Sequence, residues 1–310
     1  MDRSRPRVEA IASLRMRRPG GLKWTEYLSG YAFILPALTG ITLFGLLPLA
    51  YAFYVSFRRY DLLAPTSAFI GFANYQRVIA YPTFWRALLN TAYYAGLLIP
   101  AQTGLGLMLA LLVQKNSPGI SIFRASYYLP VVSSMVVAST LWRIMYDAQN
   151  GIFNSVLLAM GLPAQPFLTS PSQAIPALVL MMTWKWVGIS MLILLGGLNA
   201  IPADYYEAAE VDGGTPFQSF KLITLPLLRR VLLFIVVINT INAFKLFTPI
   251  YVITRGGPME STLTLVFHIF RTGFRYYDMG AASTMSVLLL LLVLGLTLAQ
   301  FGLLRSERDM

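Results

Sequence analysis

Six apolar runs, each close to the roughly 20 residues a helix needs to cross a bilayer, constrain this chain more than any other feature. They lie at about Tyr27–Val55, Leu88–Val113, Phe123–Tyr146, Ala174–Ala200, Val231–Ile253 and Met279–Leu304. Composition points the same way. Of 310 residues, 56% are hydrophobic and 12% charged, whereas soluble domains average about 25% charged. The expected fold class is all-α and integral to the membrane, with six transmembrane helices. Pro36 and Pro48 interrupt the first run, which predicts a kinked or shortened embedded part. The absence of cysteine excludes disulfides, thiolate metal sites and thiol catalysis, and a single histidine, His268, excludes a histidine-cluster metal site.

An even number of spans puts both termini on one side, and the basic residues say which. The tail and loops on the terminal side hold 14 Arg/Lys and the opposite loops hold 7. The positive-inside rule makes the terminal side cytoplasmic. It also accounts for the net charge of +11 without invoking nucleic acid as a partner. The expected organisation is a basic cytoplasmic tail (1–26) set against anionic lipid, a six-helix domain (27–304) and a short cytoplasmic carboxyl terminus (305–310). The run that follows the tail is too long for a signal peptide.

One polar segment stands out between the fourth and fifth runs, at Ile201–Pro226. It carries four of the 13 acidic residues: Asp204, Glu207, Glu210 and Asp212. Pro202 suits the first turn of a helix, and Asp204 and Glu207 suit its positive end. Gly213-Gly214 stops that helix. Thr215-Pro216-Phe217-Gln218 restarts one with a capping box. The expected product is a cytoplasmic knob of two short helices, in which Ala208 and Ala209 let another surface approach. No GxxxxGK[ST] phosphate loop occurs, so any ATP-driven work falls to another chain, and a short presented helix suits docking in a groove.

The residues Glu207-Ala208-Ala209-Glu210-Val211-Asp212-Gly213, continuing to Ile223-Thr224-Leu225-Pro226, resemble the EAA signature of binding-protein-dependent ABC importer permeases. Phe72-Ala73-Asn74-Tyr75, Tyr128-Leu129-Pro130 and Thr254-Arg255-Gly256-Gly257-Pro258 are similar to the sugar-importer branch, in particular its maltose/glycerol-phosphate/lactose-type first permease subunit. Arg230 departs from the proline that many relatives carry there. The resemblance implies a permease of the bacterial or archaeal inner membrane, not itself an enzyme. It implies a second permease as heterodimer partner, an ABC ATPase dimer holding ATP and Mg²⁺, an extracytoplasmic sugar-binding protein and a carbohydrate cargo, with no cofactor in this chain. It assigns ATPase coupling to Glu207, Ala208, Ala209, Asp212 and Gly213, and substrate-pathway positions to Val131, Met135, Trp186, Ile189, Asn239 and Asn242.

Polar residues inside the spans are costly, about 2.5–3.5 kcal/mol for a central lysine, and so face protein or water. Lys185 lies mid-span between Trp184 and Trp186. Asn239, Asn242 and Lys245 follow at i, i+3, i+6 and share one face. That face reads either as a hydrogen-bonding wall for sugar hydroxyls or as glue between two permeases. His268 reads as a packed or interfacial histidine, Arg143 and Asp147 as a local i, i+4 pair, and Asn154 as a loop residue without chemistry. A stand-alone secondary transporter or channel is the rival function. It predicts a titratable or ion-binding centre within the spans, and the absence of a mid-span carboxylate counts against proton coupling. A membrane-embedded enzyme finds no set of catalytic residues.

Overall fold

The computed structural model describes residues 24–63, 67–114 and 118–305. Most of the basic tail, Lys115 and the residues after Arg305 lie outside these. By its contacts the chain divides into two units, Met1–Tyr51 and Ala52–Met310. Where described, the first unit is helical: α1 (Trp24–Ile41), a π turn at Thr42–Leu46, and the start of α2 (Leu47–Ser56). Pro36 lies inside α1 without ending it. The irregularity belongs to Pro48. A proline offers no N–H to the carbonyl four residues back and its ring crowds that carbonyl. The backbone widens just before it, and the Leu47 amide donates to the Thr42 carbonyl five residues earlier.

In the second unit, β1 (Arg58–Arg59) and β2 (Ala68–Phe69) make a two-residue antiparallel ribbon, Arg58 opposite Phe69. Then come α3 (Ala73–Ala80) and the long α4 (Pro82–Leu112). Asn74 on α3 is buried. Its Nδ2 donates to the carbonyls of Ser56 (2.9 Å) and Arg58 (2.8 Å), and its Oδ1 accepts from Arg77 (3.0 Å).

The third apolar run departs from expectation. It is not one helix but two, α5 (Ile120–Val132) and α6 (Met135–Met145), bent by 99°. The cause is local. Pro130 removes one amide donor from the last turn of α5. The two serines that follow are both extended, Ser133 at ψ 150° and Ser134 at ψ 138°. Serine side chains compete with the backbone for its hydrogen bonds, and Ser133 Oγ donates to the Pro130 carbonyl at 2.7 Å.

Next come α7 (Ile152–Ala159) and α8 (Ala174–Asn199). Asp147 does not complete the expected pair with Arg143. Its Oδ1 accepts the amides of Gln149 (3.0 Å) and Asn150 (2.8 Å), and these bonds, Asn150 first, hold its carboxyl below the usual carboxylate range. Asn154 is buried, and the loop from 147 to 166 is tied through it. Its Nδ2 donates to Ala148 O and Gln165 O, and its Oδ1 accepts from Gln165 N.

After α8 the chain forms α9 (Asp204–Val211), α10 (Pro216–Ser219), a π turn at Phe220–Thr224 and α11 (Leu225–Phe244). The fifth span therefore differs from the expected Val231–Ile253. The helix that carries it runs continuously over Pro216–Phe244, so the span ends near Phe244 and its first turns lie outside the apolar stretch. Pro226 is absorbed as Pro48 is, by a π turn in which Leu225 N–H reaches Phe220 O. A separate π turn (Ile250–Thr254), α12 (Leu265–Phe270), a π turn (Arg271–Arg275) and α13 (Met279–Arg305) complete the described chain. Among the described residues five helices are long and apolar enough to span a membrane, and the bent α5–α6 pair, counted as one span, brings the number to six.

α8 is apolar on every side, as a helix at the centre of a bundle must be. Of its most apolar window 67% is buried, against 33% for α4 and 28% for α11 and α13, which makes it the axis of this unit. It packs against α4, α5 and α11. Trp142 and Tyr146 anchor α6 to it. Trp142 meets Trp184 with ring centroids 5.4 Å apart, and Tyr146 Oη donates to Ala177 O at 2.8 Å. Gly188 lets α5 approach, since a Cβ there would sit 2.2 Å from the Tyr127 carbonyl oxygen. Gly188→Ala should therefore cost about 1–3 kcal/mol and lower the thermal midpoint in detergent. Gly196→Ala, where a Cβ meets nothing within 4 Å, should leave the midpoint unchanged.

Candidate functional site

Two regions carry the residues singled out in the sequence. In the first, Ala203 precedes α9 as its N-cap, so Pro202 falls outside the helix and not in its first turn. Asp204 and Glu207 occupy that first turn, where the helix dipole favours carboxylates. Gly213 takes φ +77°, the left-handed conformation that ends a helix. Gly214 donates to Ala209 O at 2.7 Å, and a Cβ on Gly214 would meet that oxygen at 2.8 Å. The capping box forms as its residues predict: Gln218 N donates to Thr215 Oγ1 (3.3 Å) and Thr215 N to Gln218 Oε1 (2.7 Å). Tyr206 and Thr224 share a 2.9 Å hydrogen bond that ties α9 to the π turn.

The result is a braced pair of helices with an open outer face. Glu207, Ala208, Asp212 and Gly213 are exposed and Ala209 is half-buried. Val211, Phe217 and Leu222 are exposed too, at 88%, 72% and 69%.

The second region is a cavity of about 270 Å³ between α4, α6, α8 and α11, bordered by Leu246–Pro249. Met135, Trp186, Ile189, Asn239 and Asn242 line it, together with Gln102 and Lys245. Five of the six pathway positions thus come together from three helices. Val131 is the exception. It lies in the last turn of α5, and its contribution is its carbonyl, which accepts from Lys185 Nζ at 3.2 Å. Asn239 is buried and donates to Thr103 Oγ1 (3.3 Å), while Asn242 and Lys245 are exposed. Gln102 donates to Met182 O at 3.1 Å, across the α4–α8 contact. The lining is apolar at Met135 and Ile189, aromatic at Trp186 and amide-bearing at Gln102, Asn239 and Asn242. Such a mixture suits a solute that offers both flat apolar faces and hydroxyls.

Sequence reasoning did not reach Gln102, or the carbonyl cluster around Lys185. Gln102 follows Pro100 in an apolar run, and only its burial marks it. Among the described residues, no group of three or more His, Cys, Asp or Glu could hold a metal ion.

The family model described as "Binding-protein-dependent transport system inner membrane component" matches residues 77–308. This chain belongs to that family. It is 36% identical over 291 residues to the trehalose/maltose transport system permease protein MalF of Thermococcus litoralis, covering 93% of this chain and 97% of that one. It is 33% identical over 289 residues to the lactose transport system permease protein LacF of Rhizobium radiobacter, covering 91% and 95%. A chain of a bacterial ABC transporter involved in the import of the acidic polysaccharide alginate superposes with a TM-score of 0.80 at 23% identity, over 91% of this chain and 96% of that one. At that identity the likeness is one of fold. The protein is thus a multi-pass membrane permease, and the α5–α6 bend and the continuous α10–α11 helix are features of this family member.

At the end of α11 away from α9 and α10, the permease closes the loop before α12 with charge. Glu260 accepts from Arg271 (2.9 Å) and Arg86 (3.1 Å), and Asn90 Nδ2 donates to the carbonyls of Glu260 (2.8 Å) and Leu263 (3.1 Å). The hydrogen bond from Arg271 is the main cause that holds the Glu260 carboxyl below the ordinary glutamate range. Behind it His268 is buried, and burial, followed by the Arg271 charge, lowers it to about 4. A depressed carboxylate contributes stability that is complete above its unfolded value and lost as pH falls through the folded one. Protection of the amides over 256–263, taken relative to the intrinsic exchange rate at each pH, should therefore fall as pH drops below the ordinary glutamate value of 4.5. In Glu260→Gln that protection should already be low at neutral pH.

Proposed function

We propose that this permease forms half of the translocation pathway of an ATP-driven, binding-protein-dependent carbohydrate importer, and that α9 and α10 couple it to an ATPase. On this reading a second permease completes the pathway as a heterodimer. A dimer of ABC ATPase subunits holds ATP and Mg²⁺, and an extracytoplasmic sugar-binding protein delivers the cargo. This chain performs no hydrolysis and holds no cofactor. Both termini and the 201–226 segment face the cytoplasm, in keeping with the Arg/Lys distribution. The cargo class is supported by the names of relatives that span nearly the whole chain, among them permeases for trehalose/maltose and lactose.

The observation that carries the coupling is continuity. α10, the π turn and α11 form one helical run from Pro216 to Phe244, and Asn239 and Asn242 lie on it. The exposed segment and the cavity wall therefore belong to the same rod. A helix is stiff along its length, so displacement at Phe217 is carried to Asn242 without an intervening loop. Glu207, Ala208, Ala209, Asp212 and Gly213 form the docking side, with Glu207 placed to meet a basic group of the ATPase. Val131, Met135, Trp186, Ile189, Asn239 and Asn242 form this chain's share of the path. There the amides exchange hydrogen bonds with hydroxyls, and Trp186 offers a stacking face.

The test is to purify the tagged permease from its native membranes in mild detergent and identify the chains that accompany it. An ATPase and a second permease are expected. Recovery of this chain alone, where a control ABC complex survives, would overturn the reading. In the reconstituted complex, Glu207→Lys should cut sugar uptake about tenfold or more, since like charges at an interface cost several kcal/mol, while membrane insertion is unaffected. Unchanged uptake would remove the coupling role. Asn242→Leu should lower uptake about tenfold by leaving hydroxyls unpaired, with the second permease still bound. Parallel loss of uptake and of that partner would instead mark Asn242 as a packing residue.

A further inference from the structure

We propose that Lys185 is a positioning residue whose ammonium group pins the break in the third span and so places the α6 wall of the cavity. The break leaves the carbonyls of Val131 and Ser133 without the amide partners a continuing helix would supply, while Pro130 O keeps the Ser133 amide (3.2 Å) and hydroxyl (2.7 Å). Lys185 is buried, only 1% exposed, and its Nζ meets all three. It donates to Pro130 O, to Val131 O (3.2 Å) and to Ser133 O (2.5 Å), with Ser133 Oγ at 3.1 Å. A lysine ammonium has three N–H donors, and three carbonyls face it, two of them with no amide of their own. Its charge also sits at the carboxyl end of α5, where a helix dipole favours a cation. Trp186, the next residue, lines the cavity, and the ammonium lies 5.5 Å from its ring centroid. Met135, two residues beyond Ser133, opens α6 and lines the same cavity.

One side chain of the central helix α8 therefore holds the end of α5 and the first residue of the hinge that leads to Met135. Without it the carbonyls of Val131 and Ser133 need other donors, which the segment finds only by moving toward water or by rebuilding the turn. Either change displaces Met135. This inference rests on the proposed pathway only for its consequence in transport. The hinge geometry stands apart from it and is what the test reads.

The chain contains no cysteine, so a single Met135→Cys reports on this wall alone. The probe is a membrane-impermeant sulfonated maleimide, applied to the full chain in its native membranes and read on this chain by mass spectrometry. Adding Lys185→Met should change the labelling rate at 135 about tenfold or more, the effect of losing a charge-assisted hydrogen bond on a two-position equilibrium. A cysteine at Ile152, exposed on α7, should label at the same rate with and without Lys185. Lys185→Arg, which keeps the charge and the donors, should label at 135 near the parent rate. An unchanged rate at 135, an equal change at 152, or an arginine variant that behaves as methionine does would each overturn the proposal. Where Lys185→Met does not accumulate, Lys185→Gln is compared with Lys185→Arg, and equal rates overturn it. Labelling needs neither cargo nor ATPase, so this outcome is separate from that of the co-purification test.

Discussion

A helix that breaks at membrane depth strands carbonyl groups where neither amides nor water can reach them. That constraint shapes each irregular point in this chain. At Pro48 and Pro226 the break is avoided, because a single π turn shifts the hydrogen bonding by one residue and the helix runs on. At Pro130 it is not avoided. Two extended serines follow, and the stranded carbonyls are met by a lysine from the neighbouring span. The same residue type, proline, thus yields a continuous rod in one span and a 99° hinge in another. What differs is whether the next residues can resume the helix and whether a donor waits opposite.

The rod and the hinge divide the work around the cavity. α11 brings Asn239 and Asn242 to it on a helix that begins at the exposed, capped segment. α6 brings Met135 from beyond the hinge. α8, the most buried helix, stands between them and supplies Trp186, Ile189 and the lysine that satisfies the hinge. On the proposed function, α8 is the axis, α11 the element that transmits and α6 the one whose position the hinge sets.

Much of this was legible from residue types. The glycine pair, the Thr215–Gln218 box and the acidic first turn follow from backbone chemistry within four residues, and they reappear as read. The spacing of Asn239 and Asn242 put them on one face, and they do line one cavity. Other features were read wrongly or left blank. The third run looked like one unbroken helix because hydropathy averages over a break of two residues. The fifth span was placed too late because a π turn has no compositional mark. Arg143 and Asp147 were paired by spacing alone, yet the carboxylate found two closer amides. Asn74 and Asn154 had no reading as anchors, since their partners lie up to 18 residues away and are carbonyls, which every residue has.

By itself the sequence determined the class of this protein. Apolar runs of spanning length force helices, because lipid offers the backbone no other partner, and a capped acidic segment between two of them must stay in water. The tertiary structure decided what the polar residues inside the spans do. Lys185 and Asn239 carry the same warning in one dimension, that each needs a partner. Only packing shows that Lys185 spends its donors on a broken helix, while Asn239 and Asn242 remain beside a cavity. A hydrogen bond depends on where two groups meet in space, and across α5 and α8 those groups are more than 50 residues apart in the chain.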